Sequence, residues 1–146
     1  METIHTATYL DLHELLPLFR DLWPDDEPTG LHQTLTEILS SNKFRIWVSR
    51  QDTTATGFIY VSIRYDYVEG ADHSPTGFVE GIYVRPAFRK NGIAYRLLQA
   101  GEQWLREAGC RQIGSDMQFD NQMSFDFHHR AGFVEAGRLI TFIKDL

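Results

Sequence analysis

One stretch decides the fold, FVEGIYVRPAFRKNGIAYRLL, which runs from Phe78 to Leu98. Its first third is an apolar run typical of a buried strand, and an amphipathic helical pattern begins after Gly92. Between them stand Arg89 and Lys90, in a chain that has more acidic than basic residues. Glycine lets a ligand approach the backbone closely, and the unpaired N–H groups at a helix start bind anions. The stretch therefore indicates a phosphate-binding loop, with a solvated strand-to-helix turn as the alternative.

Periodicity predicts the elements on both sides of this stretch. Upstream it predicts a short strand near Ile4, a helix at about 12–22, a weaker helix at about 31–40, and strands at 44–50 and 56–65 joined by a QDTT turn. Downstream it predicts a helix from Gly92 to Gly109, a strand at 111–116, a helix at 121–131, and one or two closing strands at 133–146. Pro17 predicts a kink or a late start in the first helix, and Thr8 with Asp11 resembles a capping pair. The order β-α-α-β-β-β-α-β-α-β predicts an α/β (α+β) fold.

Length and composition narrow the class of protein. The 146 residues suit a single domain over 1–146, and 42% hydrophobic with 23% charged residues are ordinary globular values. The net charge of −6 argues against a nucleic-acid-binding protein and is compatible with a cationic partner. Cys110 stands alone, so no internal disulfide is possible, and no Cys/His spacing suggests a metal. We expect a soluble, cytoplasmic protein with no membrane partner, because no signal peptide or membrane-length apolar run occurs.

The loop and a downstream segment carry a family resemblance. The turn has neither the Gly-Lys-Ser/Thr of a P-loop nor G-x-G-x-x-G. It is similar to the R/Q-x-x-G-x-G/A turn that binds the pyrophosphate of acetyl-CoA in the GNAT acyltransferase superfamily. A second superfamily block is matched by Asn121, Ser124, His128, Gly132 and Phe133. The resemblance implies the GNAT fold, a mixed central sheet flanked by about four helices, with acetyl-CoA as co-substrate.

This resemblance implies a set of cofactor-binding residues. The turn supplies Arg89, Lys90, Asn91, Gly92, Ile93 and Ala94 for the pyrophosphate. The strand before it is expected to splay from its neighbour at Gly81 and to admit the pantetheine arm. Its backbone would bind the arm at Ile82, Tyr83 and Val84, and one N–H would polarise the thioester carbonyl. Asn121 would contact the cofactor, cap the next helix, or do both.

Further stretches resemble one subclass, the aminoglycoside 6′-N-acetyltransferases. They are LWP at 22–24, SIRYDYVEG at 62–70, SPTGFVEGIYV at 74–84 and SD at 115–116. The implied substrate-binding residues are Trp23, Tyr67, Glu80, Asp116 and Glu135. Gly137 departs from the subclass, which often has glutamate there, and Glu135 lies two residues away.

Each implied role has an alternative. A carboxylate in the apolar strand is costly to bury unpaired, so Glu80 is either a catalytic residue that binds the substrate amine or a strand residue wetted at a sheet edge. The resemblance also makes Asp116 and His128 catalytic candidates. Asp116 could instead cap a turn, and Trp23 could pack in the core. His128, at the position where a tyrosine protonates the departing thiolate, could equally be a packed helix residue.

The sequence therefore predicts an enzyme that transfers acetyl from acetyl-CoA directly to the 6′-amine of an aminoglycoside in a ternary complex. Because the reference pKa of glutamate is about 4.3, a water relay to Glu80 is favoured over direct proton abstraction. The alternatives are a GNAT enzyme for another amine, such as a polyamine or a protein N-terminus, and a non-catalytic acyl-CoA-binding module. The resemblance also implies a homodimer, with no metal and no nucleic acid.

Overall fold

The computed structural model describes residues 1–146 and contains five strands and four α-helices. The strands are β1 (Glu2–Thr6), β2 (Phe44–Gln51), β3 (Thr54–Arg64), β4 (Thr76–Val84) and β5 (Ile113–Gly114). The helices are α1 (Leu12–Leu22), α2 (Pro28–Ser40), α3 (Ile93–Glu107) and α4 (Gln122–Arg130). Short 3₁₀ turns cover Tyr9–Asp11 and Pro86–Phe88. The predicted order is confirmed as far as α4. None of the helices is long and apolar enough to cross a membrane.

The strands form one mixed sheet in the order β1-β2-β3-β4-β5. The first three neighbouring pairs are antiparallel, and β4 pairs with β5 in parallel. That last pairing holds only at Gly77 opposite Ile113 and Phe78 opposite Gly114. Beyond it β4 continues to Val84 with no strand paired on this side, and no strand follows Gly114 directly. We call this opening the strand gap; the pairing ends at Phe78, three residues before Gly81, where the resemblance predicts the splay.

Helices cover both faces of the sheet. On one face α1 and α2 bury a core in which Phe19 stacks on Phe58 with ring centroids 4.2 Å apart. On the other face α3 buries Leu97 and Leu98 against β3 and β4, and α4 adds Phe127 at the edge of this second core. We refer to these as the α1–α2 face and the α3–α4 face. The strand gap opens between them at one end of the sheet.

A β-bulge in β4 sets the direction of Glu80. Val61 pairs with Val79 and Tyr60 with Gly81, so Glu80 is an extra residue without an opposite partner. The bulge interrupts the alternation of side chains, as such insertions do. Glu80 and Gly81 consequently both face the α1–α2 side, where Glu80 hydrogen-bonds Ser62 and a β-carbon at Gly81 would meet Trp23. Val79 and Ile82, on either side of this pair, pack into the core of the α3–α4 face.

Most local signals in the sequence are confirmed. Thr8 and Asp11 form a reciprocal capping box, but they cap the 3₁₀ turn rather than α1 itself. Pro17 lies inside α1, which begins at Leu12, so the late start is wrong. Helix α2 begins three residues earlier than predicted because Pro28 occupies its first turn, where a missing N–H costs nothing. Asn121 caps α4 by accepting a hydrogen bond from the N–H of Ser124.

The C-terminus differs from the prediction. We name residues 134–146 the C-terminal arm; it contains no strand, so the predicted closing strands are wrong for the single chain. Six apolar side chains of the arm are at least 79% exposed, namely Val134, Leu139, Ile140, Phe142, Ile143 and Leu146. A strand needs a hydrogen-bonded neighbour, and β5, the strand at this edge of the sheet, is only two residues long. The arm therefore exposes these apolar side chains and pairs with no strand.

Candidate active site

The candidate phosphate-binding loop has a backbone that suits an anion site. Lys90 and Gly92 both adopt left-handed conformations, with φ of 67° and 78°. No side chain caps the N-terminus of α3 and no acidic residue lies in its first turn, so its N–H groups face outward unpaired. Arg85 adds a buried Nε that has no hydrogen-bond partner within the chain. Unpaired donors at a helix start form a site for an anion.

Two arginines fix this loop in place. Arg89 donates from Nε to the carbonyl of Val84 over 2.7 Å, and so ties the loop to the end of β4. Arg96 pairs with Glu2 on β1 and donates to the carbonyl of Asn91 over 3.1 Å. The sequence analysis missed Arg96, although its place one helical turn after Gly92 was a usable signal. The loop is therefore held by contacts on both of its sides.

Glu80 is not a free carboxylate. It accepts a hydrogen bond from the Ser62 hydroxyl at 2.5 Å, and Arg64 contacts it through Nε at 3.1 Å and Nη2 at 2.7 and 3.0 Å. The Arg64 guanidinium lies 3.6 Å above the centroid of the Phe78 ring. Glu80 is therefore paired within the chain, at a point on β4 beyond its last pair with β5. The sequence analysis missed Ser62 and Arg64, whose period-two spacing on β3 brings both side chains to the face of Glu80.

Aromatic side chains surround the approach to Glu80 on the α1–α2 face. Trp23 packs against Phe19, with centroids 5.3 Å apart, and lies so close to Gly81 that a β-carbon there would come within 2.3 Å of it. Burial, with the charge of Glu80 second, raises the pKa of Tyr60 to about 12. Tyr60 also lines a groove of about 370 Å³ along α2, with Glu37 at its rim. Trp23 thus joins the core to the cleft, consistent with both of its predicted roles.

The other implied substrate residues lie at the periphery. Asp116 is exposed just beyond β5, across the strand gap from β4, and makes no hydrogen bond or ion pair. Tyr67 is 72% exposed and donates to Glu69 over 2.6 Å, which raises the pKa of the Tyr67 hydroxyl. Glu135 pairs with Arg138, which lowers the pKa of that carboxyl. The structure therefore sets Glu80 and Asp116 on the two sides of the gap and leaves Glu135 without a contact to either.

The start of the C-terminal arm packs against the loop between β3 and β4, residues 65–75, which we name the Tyr67 loop. A β-carbon at Gly137 would lie 3.0 Å from a carboxylate oxygen of Glu69, and one at Gly70 would lie 2.5 Å from the Ala136 side chain. The loop that carries Tyr67 therefore meets the arm at Ala136 and Gly137, next to Glu135. Glycine at position 137 makes this close approach possible, which gives a physical reason for the departure from the subclass.

His128 is both packed and hydrogen-bonded. Its ring meets Phe127 and Phe133 edge-on, at centroid distances of 5.8 and 5.1 Å. Its Nε2 lies 2.7 Å from the hydroxyl of Ser115, and its Nδ1 lies 2.7 Å from the carbonyl of Ser124. Ser115 was not singled out from the sequence, where it appeared only beside Asp116. No group of three or more His, Cys, Asp or Glu side chains is arranged to hold a metal ion.

Comparison with known proteins now adds to this geometry. The model of the acetyltransferase (GNAT) family matches residues 12–133. The chain belongs to the GNAT family. The GNAT chain is 34% identical to an aminoglycoside N(6′)-acetyltransferase type 1 of Acinetobacter haemolyticus, over 98% of each protein. It is 38% identical to one from Salmonella typhimurium, over 87% of this chain and 88% of that protein.

A solved structure agrees with these matches. It is AAC(6′)-Iy in complex with the bisubstrate analogue CoA-S-monomethyl-acetylneamine, and it is 35% identical to this GNAT chain. The TM-score is 0.94, and the match covers 100% of this chain and 99% of that one. The fold and the family resemblance predicted from the sequence are confirmed.

Proposed function

We propose that the protein is an aminoglycoside 6′-N-acetyltransferase, which transfers acetyl from acetyl-CoA directly to the 6′-amine in a ternary complex. The observation that carries this proposal is the strand gap, which has the uncapped start of α3 at one end and the carboxylates of Glu80 and Asp116 on its two sides. Relatives matched over nearly the whole chain bear the same activity in their names. We further propose that residues 1–146 act as one domain in the cytoplasm.

The donor would lie along the gap. The pyrophosphate would bind at the start of α3, in the turn made by Arg89, Lys90, Asn91, Gly92, Ile93 and Ala94, with the unpaired Nε of Arg85 beside it. The pantetheine arm would follow the unpaired edge of β4 at Ile82, Tyr83 and Val84. A backbone N–H of this edge would polarise the thioester carbonyl, since a fixed dipole costs no reorganisation in the reaction. Asn121, at the start of α4, would contact the cofactor as well as cap the helix.

The acceptor would approach from the α1–α2 face. Its 6′-ammonium would add a second cation to the carboxylate of Glu80, which Arg64 already holds in place. The proton would leave the amine through a water molecule to Glu80, and the free amine would attack the thioester. Holding the two reactants in line supplies much of the acceleration. Asp116, Trp23, Tyr67 and Glu135 would bind the rest of the drug, with carboxylates facing its other ammonium groups.

The first test is a thiol-release assay with acetyl-CoA and a panel of amines. Neomycin should be acetylated, whereas paromomycin, which has a hydroxyl in place of the 6′-amine, should be a poor substrate. Equal turnover of the two drugs would contradict the 6′ assignment. Turnover of only polyamines or a peptide N-terminus would show another GNAT enzyme, and cofactor binding without turnover of any amine would show a binding module.

We also propose that the protein is a homodimer. The apolar side chains of the C-terminal arm are exposed in one chain, and a strand-forming segment without a partner is covered most simply by a second copy. A contiguous apolar segment of this kind is unusual on a monomer. The arm begins beside the Tyr67 loop, so a second copy seated on it would come near the acceptor cleft.

A further inference from the structure

Ser115 and His128 form a hydrogen-bonded pair at the mouth of the strand gap. The hydroxyl of Ser115 and Nε2 of His128 are 2.7 Å apart, and Nδ1 is 2.7 Å from the carbonyl oxygen of Ser124. A carbonyl oxygen can only accept, so Nδ1 carries a proton in this geometry. Both ring nitrogens are therefore engaged, and Nδ1 also lies 3.3 Å from the hydroxyl of Ser124.

The charge on the imidazole then decides what the Ser115 hydroxyl does. In the neutral ring Nε2 is an acceptor, and the hydroxyl proton points at it. In the imidazolium Nε2–H donates to the Ser115 oxygen, and the hydroxyl proton is released for another acceptor. A proton on His128 therefore turns Ser115 outward as a donor.

The position of Ser115 places this donor opposite the acceptor carboxylate. Ser115 follows Gly114, the last residue of β5 that pairs with β4. It shares a face with Ile113, two residues before, which packs into the core of the α3–α4 face. Glu80 points to the α1–α2 face. A thioester in the gap would therefore face the Glu80 carboxylate on the side from which the amine attacks. It would face the Ser115 hydroxyl on the opposite side.

We propose that Ser115 is the catalytic residue that protonates the departing CoA thiolate. His128 is the positioning residue, which orients the Ser115 hydroxyl and returns a proton to it. This inference rests on the proposed function, because that function places the thioester in the gap. As the amine nitrogen bonds to the carbonyl carbon and the C–S bond breaks, the electron pair stays on sulfur. Sulfur takes the hydroxyl proton of Ser115, whose oxygen takes the Nε2 proton of the imidazolium. Ser115 ends unchanged, His128 ends neutral, and a solvent proton restores the imidazolium.

Other charged groups do not replace this route. The titratable side chains on the segments around the ring are Asp116 beside Ser115, Glu135 beyond Phe133, and Asp126, His129 and Arg130 on α4. None of them forms a hydrogen bond or an ion pair with the imidazole of His128.

The experiment measures single-turnover acetyl transfer against pH, with enzyme in excess over acetyl-CoA, for Ser115→Ala, Ser115→Thr and His128→Gln. Proton donation contributes roughly 10²–10⁴-fold, so Ser115→Ala should lower the rate by at least about 10²-fold. The wild-type rate should fall at high pH as the imidazolium is lost, and this limb should vanish in Ser115→Ala and His128→Gln. Ser115→Thr, which keeps a hydroxyl, should retain the limb. His129→Gln, the exposed neighbour on α4, should behave as wild type.

Two results would overturn the proposal. One is a Ser115→Ala enzyme with the wild-type rate and pH profile. The other is an equal loss in Ser115→Ala and Ser115→Thr with the high-pH limb unchanged, which would show a structural role. The assay uses whichever amine the wild type acetylates, so an error in the assigned aminoglycoside leaves this test intact. Failure of the wild type to acetylate any amine would instead count against the proposed function itself.

Discussion

At the scale of single residues, substitutions at two glycines on opposite ends of α3 can distinguish a loss of ligand binding from the effect of backbone strain. Gly92 and Gly109 both have left-handed φ angles, 78° and 92°, so any side chain strains either position. Only Gly92 lies in the candidate phosphate-binding loop, where an added β-carbon would come 3.0 Å from Nη1 of Arg96. At Gly109 nothing lies within 4 Å of such an atom.

We therefore expect Gly92→Val to weaken acetyl-CoA binding by about tenfold or more, which is roughly 1.4 kcal/mol. Both variants should lose about 1–2 kcal/mol of unfolding free energy, because each places a side chain on a residue with a left-handed backbone. Gly109→Val, however, should bind acetyl-CoA as wild type does. Titration calorimetry measures the binding, and urea unfolding measures the stability. Unchanged affinity in a folded Gly92→Val protein would contradict the phosphate-loop assignment.

The pairing of Glu80 with Arg64 makes a second prediction at this scale. Glu80→Gln removes a charged hydrogen bond to the substrate, worth roughly 1.5–3 kcal/mol, and should raise KM by about one to two decades. It also leaves Arg64 as an unbalanced cation facing a cationic drug. The double variant Glu80→Gln/Arg64→Met should therefore recover part of the lost KM, while kcat stays low because the proton relay is absent.

Steady-state kinetics with kanamycin measures this cycle. Asp116→Asn is the matched control, since Asp116 has no arginine partner and should act mainly on KM. A Glu80→Gln enzyme that is folded, binds acetyl-CoA and keeps wild-type kcat and KM would make Glu80 a structural residue.

At the scale of elements, a buried ionic cluster ties β1, α1 and the β2–β3 hairpin together. Asp11 is 6% exposed and accepts hydrogen bonds from the N–H of Thr8, from Arg50 at 2.7 Å and from His5. Burial alone would raise the pKa of Asp11, but these bonds together hold it below its ordinary value of 3.8. A hydrogen bond from Arg50 likewise lowers the pKa of Glu14 below 4.5.

Both carboxylates have lowered pKa values, so their contribution to stability is present at neutral pH. It should be lost as the pH falls below about 4.5, the ordinary pKa of glutamate, and then below that of aspartate. Arg50→Met should lower the free energy of unfolding at pH 7 and flatten this acid-side loss. Urea unfolding between pH 7 and pH 3 measures it. Arg106→Met, at an exposed arginine on α3 with no ion pair, should leave the slope as in wild type.

The elements also show what local sequence can predict. The phosphate turn, the hairpin and the caps were predictable, because each depends on residues within one helical turn of one another. The contact of Arg64 on β3 with Glu80 depends on the bulge in β4. The contact of Ser115 with His128 depends on how α4 packs against the end of β5. The prediction of closing strands was wrong, because strand pairing depends on a neighbouring strand and β5 has only two residues. Features that depend on neighbouring residues were therefore predicted from the sequence, whereas contacts between distant elements were not.

At the scale of the whole molecule, the C-terminal arm predicts the oligomeric state. A homodimer should sediment at twice the chain mass of 16.9 kDa. Phe142→Asp places a charge among the exposed apolar residues of the arm and should shift the protein to monomer. Met123→Asp, the same kind of change at an exposed apolar residue on α4, should leave the dimer intact. A wild-type protein that sediments as a monomer at micromolar concentration would contradict the proposal.

Because the C-terminal arm is exposed in the monomer and would be buried in the dimer, the thermal stability of the protein should depend on its concentration. Burial of the arm then belongs to a bimolecular step, so part of the folding free energy follows mass action. The midpoint of thermal unfolding should rise with protein concentration in the wild type and become independent of it in Phe142→Asp. In a cell that makes few copies, the protein would be least heat-resistant when it is scarcest.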